Sequence, residues 1–508
     1  MLSVKKATKF AVANLIIVST VFSSVTPAIA QSDKSSKDES FAVGNTKNPK
    51  NVIFLVGDGM GPSFNTAYRY YKNDPHAKEM TPTAFDSYLK GTNRTYSNDP
   101  KQNITDSAAG GTAFSSGHKT YNGAIGVDSN KQKVKTVLER AKEKGKSTGL
   151  VSTAELTDAT PAAYAAHVTS RDDKNEIAKQ FYKDKINGKH KVDVLLGGGA
   201  KYFGKSNGNL DKKFKKDGYD LATNSVDVLL GGGAKYFGKS NGNLDKKFKK
   251  DGYDLATNSK ELSKSDKDKV LGLFADKNMP LAIDASKDEP SLADMQQSAL
   301  SKLERNKKGF FLMVEGASID KSAHSNDITG VMSEMEGFEK AFDDAIQYAK
   351  KHKDTLVVAT ADHSTGGLTI GKDKGYEWNP QPIKSMKHSG SYMTEKMAKG
   401  EDPEKVINEG YGFEFSQDDM KKVKKENKKL KRLLKKEKDE KSADVEKQTK
   451  ALQHAIQKPV NDKSYTGWTS DGHTGEDVNT YAYGPRSESF SGNIENTESA
   501  KIIFDIFK

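Results

Sequence analysis

Three apolar runs in the chain are each followed within two residues by an acidic residue. Asp58 follows Asn51 to Val56, Glu315 follows Gly309 to Val314, and Asp362 follows Thr355 to Thr360. Three carboxylates brought to one dry edge would repel one another strongly, and a cluster of cations resolves that conflict. The histidines sharpen the case. Asp320 and His324 are one helical turn apart, so both can point at one ion. His363 directly follows Asp362, and His473 sits in the small-residue segment Asp471-Gly-His-Thr-Gly475. The chain has no cysteine. Asp and His donors without thiolate suit zinc in a catalytic setting with an open coordination position.

A nucleophile candidate lies in Thr105-Asp-Ser-Ala-Ala-Gly-Gly-Thr112. Ser107 stands where a loop turns into a helix, and free N–H groups with the helix dipole favour an anion there. Serine needs help to ionise, and a zinc ion on its oxygen supplies it. On this segment alone, Ser107 reads better as an N-cap than as a nucleophile. Arg171 offers a planar fork to two phosphate oxygens, although taken singly it would be a surface charge. Thr160 offers a hydroxyl to a hard, oxygen-seeking ion such as magnesium. The remaining histidines lack such company and stay unassigned.

The elements that must carry these residues follow from the pattern. Continuous apolar runs of this length suggest strands buried on both faces. Helical periodicity lies between them, for instance Val134 to Lys144 and Met332 to Lys351. Alternating strands and helices predict an α/β fold, a three-layer α/β/α sandwich with a mostly parallel central sheet. In such sheets the ligand site lies beyond the carboxyl ends of the strands. Residues 374–464 break the rhythm and read as an inserted, largely helical crown or cap. Within it, 417–457 reads as a Lys- and Glu-rich helical stretch with Met420, Val423, Leu430 and Leu434 as a thin apolar stripe.

The 508 residues carry a net charge of +12 and only 34% hydrophobic residues. Residues 421–441 hold twelve Lys and Arg against four Asp and Glu, so most of the imbalance sits in one segment. The first thirty residues read as a secretory signal peptide, with Lys5, Lys6 and Lys9 before an apolar run and Ala28-Ile29-Ala30 as the cleavage site. Residues 31–48 read as a flexible linker. Export argues against nucleic acid as the partner of the basic run. A solvated helical face in contact with anionic cell-wall polymer is the expectation.

Residues 192–225 recur without one difference at 226–259. Solenoid repeats diverge and need about three copies to stack, so this pair reads as a duplication and not an architecture. Val192-Asp-Val-Leu-Leu before Gly197-Gly-Gly199 reads as a strand entering a tight turn. The expectation is that one copy takes the single slot in the sheet and the other becomes a surface loop. The core would then run over 49–373, with 465–508 as its C-terminal part.

Asp58-Gly-Met-Gly61, Thr105-Asp-Ser-Ala-Ala109, Asp158-Ala-Thr-Pro161, Glu315-Gly-Ala-Ser-Ile-Asp-Lys321, Thr360-Ala-Asp-His363 and His473-Thr-Gly475 together resemble the alkaline phosphatases, of the Gram-positive bacterial type. The resemblance covers roughly 48–373 and 465–508, and the insert is similar to the variable crown of bacterial members. It implies a phosphate monoesterase acting through a phosphoserine on Ser107, with Arg171 as the phosphate clamp. It implies one zinc on Asp320, His324 and His473, and a second on Asp58, Asp362 and His363. A magnesium would be held by Asp58, Thr160 and Glu315, with Asp158 and Lys321 ordering its waters and the phosphate. An alkaline rate optimum and a homodimer are also implied. Two rivals stand beside this reading. One is a phosphodiesterase or sulfatase on a similar metal scaffold. The other is a secreted surface-binding protein whose old site is dead.

Overall fold

The computed structural model describes residues 47–217, 220–223, 270–275, 277–373, 376–436 and 442–508. The expected signal peptide, nearly all of the linker and the second repeat copy lie outside the described residues. Ten strands form one sheet: β1 Asn51–Gly57, β2 Leu89–Arg94, β3 Ser147–Glu155, β4 Val194–Gly198, β5 Asp220–Thr223, β6 Val270–Leu273, β7 Phe310–Gly316, β8 Thr355–Thr360, β9 Val478–Tyr483 and β10 Gly492–Glu495. Their order is β10-β2-β9-β8-β1-β7-β3-β4-β6-β5. Only β9 runs antiparallel to its neighbours, β8 and β2.

The three apolar runs become β1, β7 and β8, which lie side by side with β1 in the middle. Each is buried along its whole length. Side chains alternate between the faces of a strand, and the core divides accordingly. Ile53, Leu55, Leu312, Val314, Val357 and Ala359 pack on one face, against Phe338 and Phe342 among others. Val52, Phe54, Val56, Phe311, Met313 and Leu356 pack on the other, against Phe114 and Tyr164. Two apolar layers on one sheet make the expected three-layer sandwich.

Six helices matter below: α1 Ser107–Ser116, α2 Ala159–Ala165, α3 Ser318–Ala323, α4 Ile328–Lys351, α5 Gln417–Lys436 and α6 Ala443–Ser464. The basic stretch is therefore two helices and not one. Ser442 caps α6, its side chain accepting from the N–H of Val445. Val423 and Leu430 are buried, whereas Met420 and Leu434 are only partly so. The insert shares its apolar residues with the core: Met393, Val423, Leu452 and Ile456 belong to the same cluster as Ile53 and Phe338. Among the described residues no helix is long and apolar enough to cross a membrane.

The first repeat copy supplies β4 and β5. Strand β4 pairs in parallel with β3 and with β6, so its place in the sheet is filled once.

Candidate active site

The three central strands end level with one another. Val56 lies opposite both Glu315 and Thr360 in the register. Asp58, Glu315 and Asp362 therefore arrive together at the carboxyl edge of the sheet. Asp58 is 3% exposed, Glu315 1% and Asp362 not at all. The turn after β1 must be tight: Gly59 has φ +70°, and a Cβ there would lie 2.7 Å from Thr365 Oγ1 and 2.9 Å from Asp320 Cβ. Its N–H donates to Asp362 Oδ1 at 3.2 Å, joining two of the strand ends.

Asp320, on α3, and His324, which ends it, do meet across one helical turn, with Nε2 3.3 Å from Asp320 Oδ1. His473 completes the group at 3.7 Å from the same oxygen. It sits in a two-residue strand paired with Ser364 and Thr365, more ordered than the loop its small neighbours suggest. Both imidazoles are oriented from behind. His473 Nδ1 donates to the carbonyl oxygen of Thr105 at 2.8 Å, and His324 Nδ1 faces the carbonyl oxygen of Asp471. The two Nε2 atoms face each other at 3.2 Å and converge with Asp320 Oδ1 on one point. A cation there would meet all three ligand-type atoms at once.

Asp58, Asp362 and His363 form the second group of ligand-type atoms. His363 Nε2 lies 3.4 Å from Asp58 Oδ1 and 3.3 Å from Asp362 Oδ2. Those two oxygens are buried without any hydrogen-bond partner. Such orphaned acceptors are costly unless a cation meets them. The electrostatics agree. Burial, then the neighbouring Asp362 and Asp320, push Asp58 well above the usual carboxylate range. Burial raises Asp362 to about 6 and Glu315 to about 7. Burial lowers His363 and His473 to about 4, so both rings are neutral at neutral pH and hold free lone pairs. The donor sets thus fit cations.

Ser107 begins α1 and lies at the edge of the second group, its Oγ 3.1 Å from His363 Nε2. It is not the cap of its helix. Asp106 is, its carboxylate accepting from the N–H of Ala109 at 2.9 Å. That leaves the Ser107 hydroxyl available for chemistry. Helix α1 approaches closely because it carries Gly110, where a Cβ would lie 3.1 Å from Asp362 Cβ.

Arg171 is held on two carboxylates. Its guanidinium donates to Asp106 Oδ2 at 3.1 Å and Asp158 Oδ1 at 3.3 Å. Lys321 donates to Asp158 Oδ2 at 3.1 Å. Although burial opposes it, Lys321, Lys174 and Arg171 hold Asp158 far below the usual range. Glu315 accepts from Ser152 Oγ at 2.5 Å, and Thr160 Oγ1 on α2 is buried with no partner.

All the residues singled out in the sequence thus lie on elements that reach this edge or the Arg171 network beside it. Three others were not singled out. Thr365 donates to Asp320 Oδ1 at 2.6 Å and lies 3.2 Å from His363 Nδ1, and so links the two groups. Ser152 orients Glu315. Asp106 fixes both the helix start and Arg171. Only Asp106 left a sequence signal, an Asp before a helical run, and the adjacent Ser masked it.

This is the architecture of a metal-dependent hydrolase. The family model for alkaline phosphatase matches residues 49–508. Alkaline phosphatase 3 of Bacillus subtilis is 46% identical over 98% of this chain and 96% of its own length. Alkaline phosphatase 4 of the same organism is 45% identical over 90% and 89%. Among solved structures, a cold-active alkaline phosphatase from Shewanella sp. superposes with TM-score 0.74 at 35% identity, covering 90% of this chain and all of that one. The Thermus thermophilus alkaline phosphatase, at 23% identity and TM-score 0.72, shares the fold. The chain belongs to the alkaline phosphatase family, a family of metal-dependent phosphomonoesterases.

Proposed function

We propose that the chain hydrolyses phosphate monoesters through a phosphoserine on Ser107. The observation that carries this reading is Ser107 Oγ at the first turn of α1, 3.1 Å from His363 Nε2 and beside the buried Asp58 and Asp362 oxygens that have no hydrogen-bond partner. Asp320, His324 and His473 would hold one zinc, and Asp58, Asp362 and His363 a second. Asp58, Thr160 and Glu315 would hold a magnesium. Bound there, the ions supply Lewis acidity: they lower the pKa of an oxygen they bind and neutralise charge on the phosphoryl group.

The chain's own groups do the rest. The Arg171 fork, aimed by Asp106 and Asp158, takes two phosphoryl oxygens. The N-terminal N–H groups of α1 face the same anion. Ser107 Oγ gives up its proton and forms a bond to phosphorus as the P–O bond to the ester oxygen breaks, and that oxygen takes up a proton to leave as the alcohol. Water then displaces Ser107 from phosphorus and releases inorganic phosphate. Asp158 and Lys321 order the waters and the phosphate beside the magnesium position. An alkaline rate optimum, export to the cell exterior and a homodimer belong to the same reading.

The test uses an aryl phosphate with zinc- and magnesium-loaded protein. The expected result is turnover abolished by chelator and lost by at least about a thousandfold in Ser107→Ala. Full turnover in Ser107→Ala would overturn the phosphoserine route.

A further inference from the structure

We propose that the outer face of α5 is a docking surface for a linear phosphodiester polymer with a short polyol between phosphates, held by its phosphates alone. Lys424, Lys428, Lys431 and Lys435 fall at i, i+4, i+7 and i+11, one stripe along the helix. At a rise of about 1.5 Å per residue, successive cations stand about 4.5–6 Å apart along the axis. Arg432 adds a fifth positive charge. All five line a groove of about 380 Å³ whose only carboxylate among the described residues is Asp402. That carboxylate is already engaged, accepting from the N–H of Lys405 at 3.0 Å as a helix cap.

The stripe differs from the rest of its own helix. Lys421 and Lys422 pair with Asp418 and Asp419 at 3.0 Å, and Lys429 pairs with Glu426 at 2.9 Å. Lys424 reaches Glu404. Among the described residues, Lys428, Lys431, Arg432 and Lys435 have no ion pair. Like charges at this spacing destabilise a helix unless something answers them. The helix is anchored by the adjoining stripe, one residue earlier at each step, where Val423, Asn427 and Leu430 are buried and Asn427 also borders the groove. The cations are therefore presented on a fixed frame.

The lining selects the partner. Among the described residues it has no aromatic side chain on which a base could stack, as single-stranded nucleic acid binding uses. Beyond Pro403 it has, among the described residues, no apolar side chain to enter a lipid surface. What remains is a row of charges matched to a row of phosphates. This surface is separate from the catalytic reading and stands without it.

The test is binding of the full metal-loaded chain to poly(glycerol phosphate) across a salt series. Four phosphate contacts on a flexible strand predict a log–log salt slope of about −3. In K428Q/K431Q/R432Q/K435Q the affinity should fall by about tenfold or more and the slope flatten toward zero. In K421Q/K422Q/K429Q, which removes paired lysines of the same helix, the affinity should stay within about twofold. Melting temperature serves as the control for folding. If the quadruple variant melts early, K428Q/K435Q takes its place, with about half the loss in slope. Equal losses in the two sets would reduce the effect to net charge and overturn the proposal. So would absence of binding at low salt. Tighter binding to single-stranded DNA of matched phosphate number would also overturn it, making the groove a nucleic-acid site.

Discussion

Asp106 does two jobs with one carboxylate. Oδ1 accepts from the N–H of Ala109, and Oδ2 accepts from the N–H of Gly123 at 3.0 Å and from Arg171 at 3.1 Å. The first contact starts α1 and so sets where Ser107 stands. The second aims Arg171. Asp106→Ala should therefore cost stability and phosphate grip together. Loss of the cap is worth about 1 kcal/mol. Loss of one charge-assisted contact to Arg171 should weaken inhibition by inorganic phosphate roughly tenfold. The informative comparison is Asp106→Asn, which keeps one oxygen for the cap but turns an NH2 toward two donors. Melting close to wild type with phosphate binding still impaired is the expected pattern. Phosphate inhibition unchanged in both variants would mean that Asp158 alone aims Arg171.

At the scale of elements, the central strands were legible because burial on both faces forces an unbroken apolar run, as in β1, β7 and β8. The edge strands were not. Strand β10 is Gly-Asn-Ile-Glu with no fully buried residue, so nothing in its composition marks it. The two-residue strand that carries His473 was hidden for another reason: pairing with Ser364 and Thr365 is a tertiary fact with no local signature. The acid-and-histidine donors were legible because chemistry restricts their types. Thr365 and Ser152 were not, since a hydroxyl that orients a ligand looks like any other. Long helices carry their own titratable strain, and α4 supplies a case. Glu334 is 6% exposed, accepts from the N–H of Ala282 at 2.7 Å, and is pushed by burial from 4.5 to about 7. A carboxyl with a raised folded pKa favours the folded state below pH 4.5. That contribution is lost as pH rises toward 7, because the folded protein must then ionise a buried acid. Glu334→Gln keeps the acceptor and removes the charge. It should raise stability at pH 8 by on the order of 3 kcal/mol at most, with little change at pH 4.5. Thermal melts of both proteins at the two pH values decide it, and an equal difference at both would sink the argument.

At the scale of the whole molecule, the tandem copy is the feature that the α/β plan does not call for. The sheet uses one Val-Leu-Leu strand between β3 and β6, and the first copy fills it. No candidate site residue lies within 192–259. Because the copies are identical and adjacent, deleting either one yields the same chain, so a single variant tests both. The connection from Thr223 to Val270 would shorten by 34 residues, which lowers the entropy cost of closing it by about 1 kcal/mol. The deletion also removes a competitor, since two equal segments can seek one slot during folding, and a landscape with two equivalent pairings is frustrated. The shortened chain should therefore keep kcat/KM for an aryl phosphate within about twofold and melt about one degree higher. It should also recover activity faster after dilution from denaturant, and this kinetic readout separates competition from loop entropy. A higher melting temperature with unchanged refolding leaves loop closure as the whole effect. Loss of turnover or early melting on deletion would give the second copy a structural place of its own, and the one-slot account of the sheet would fail.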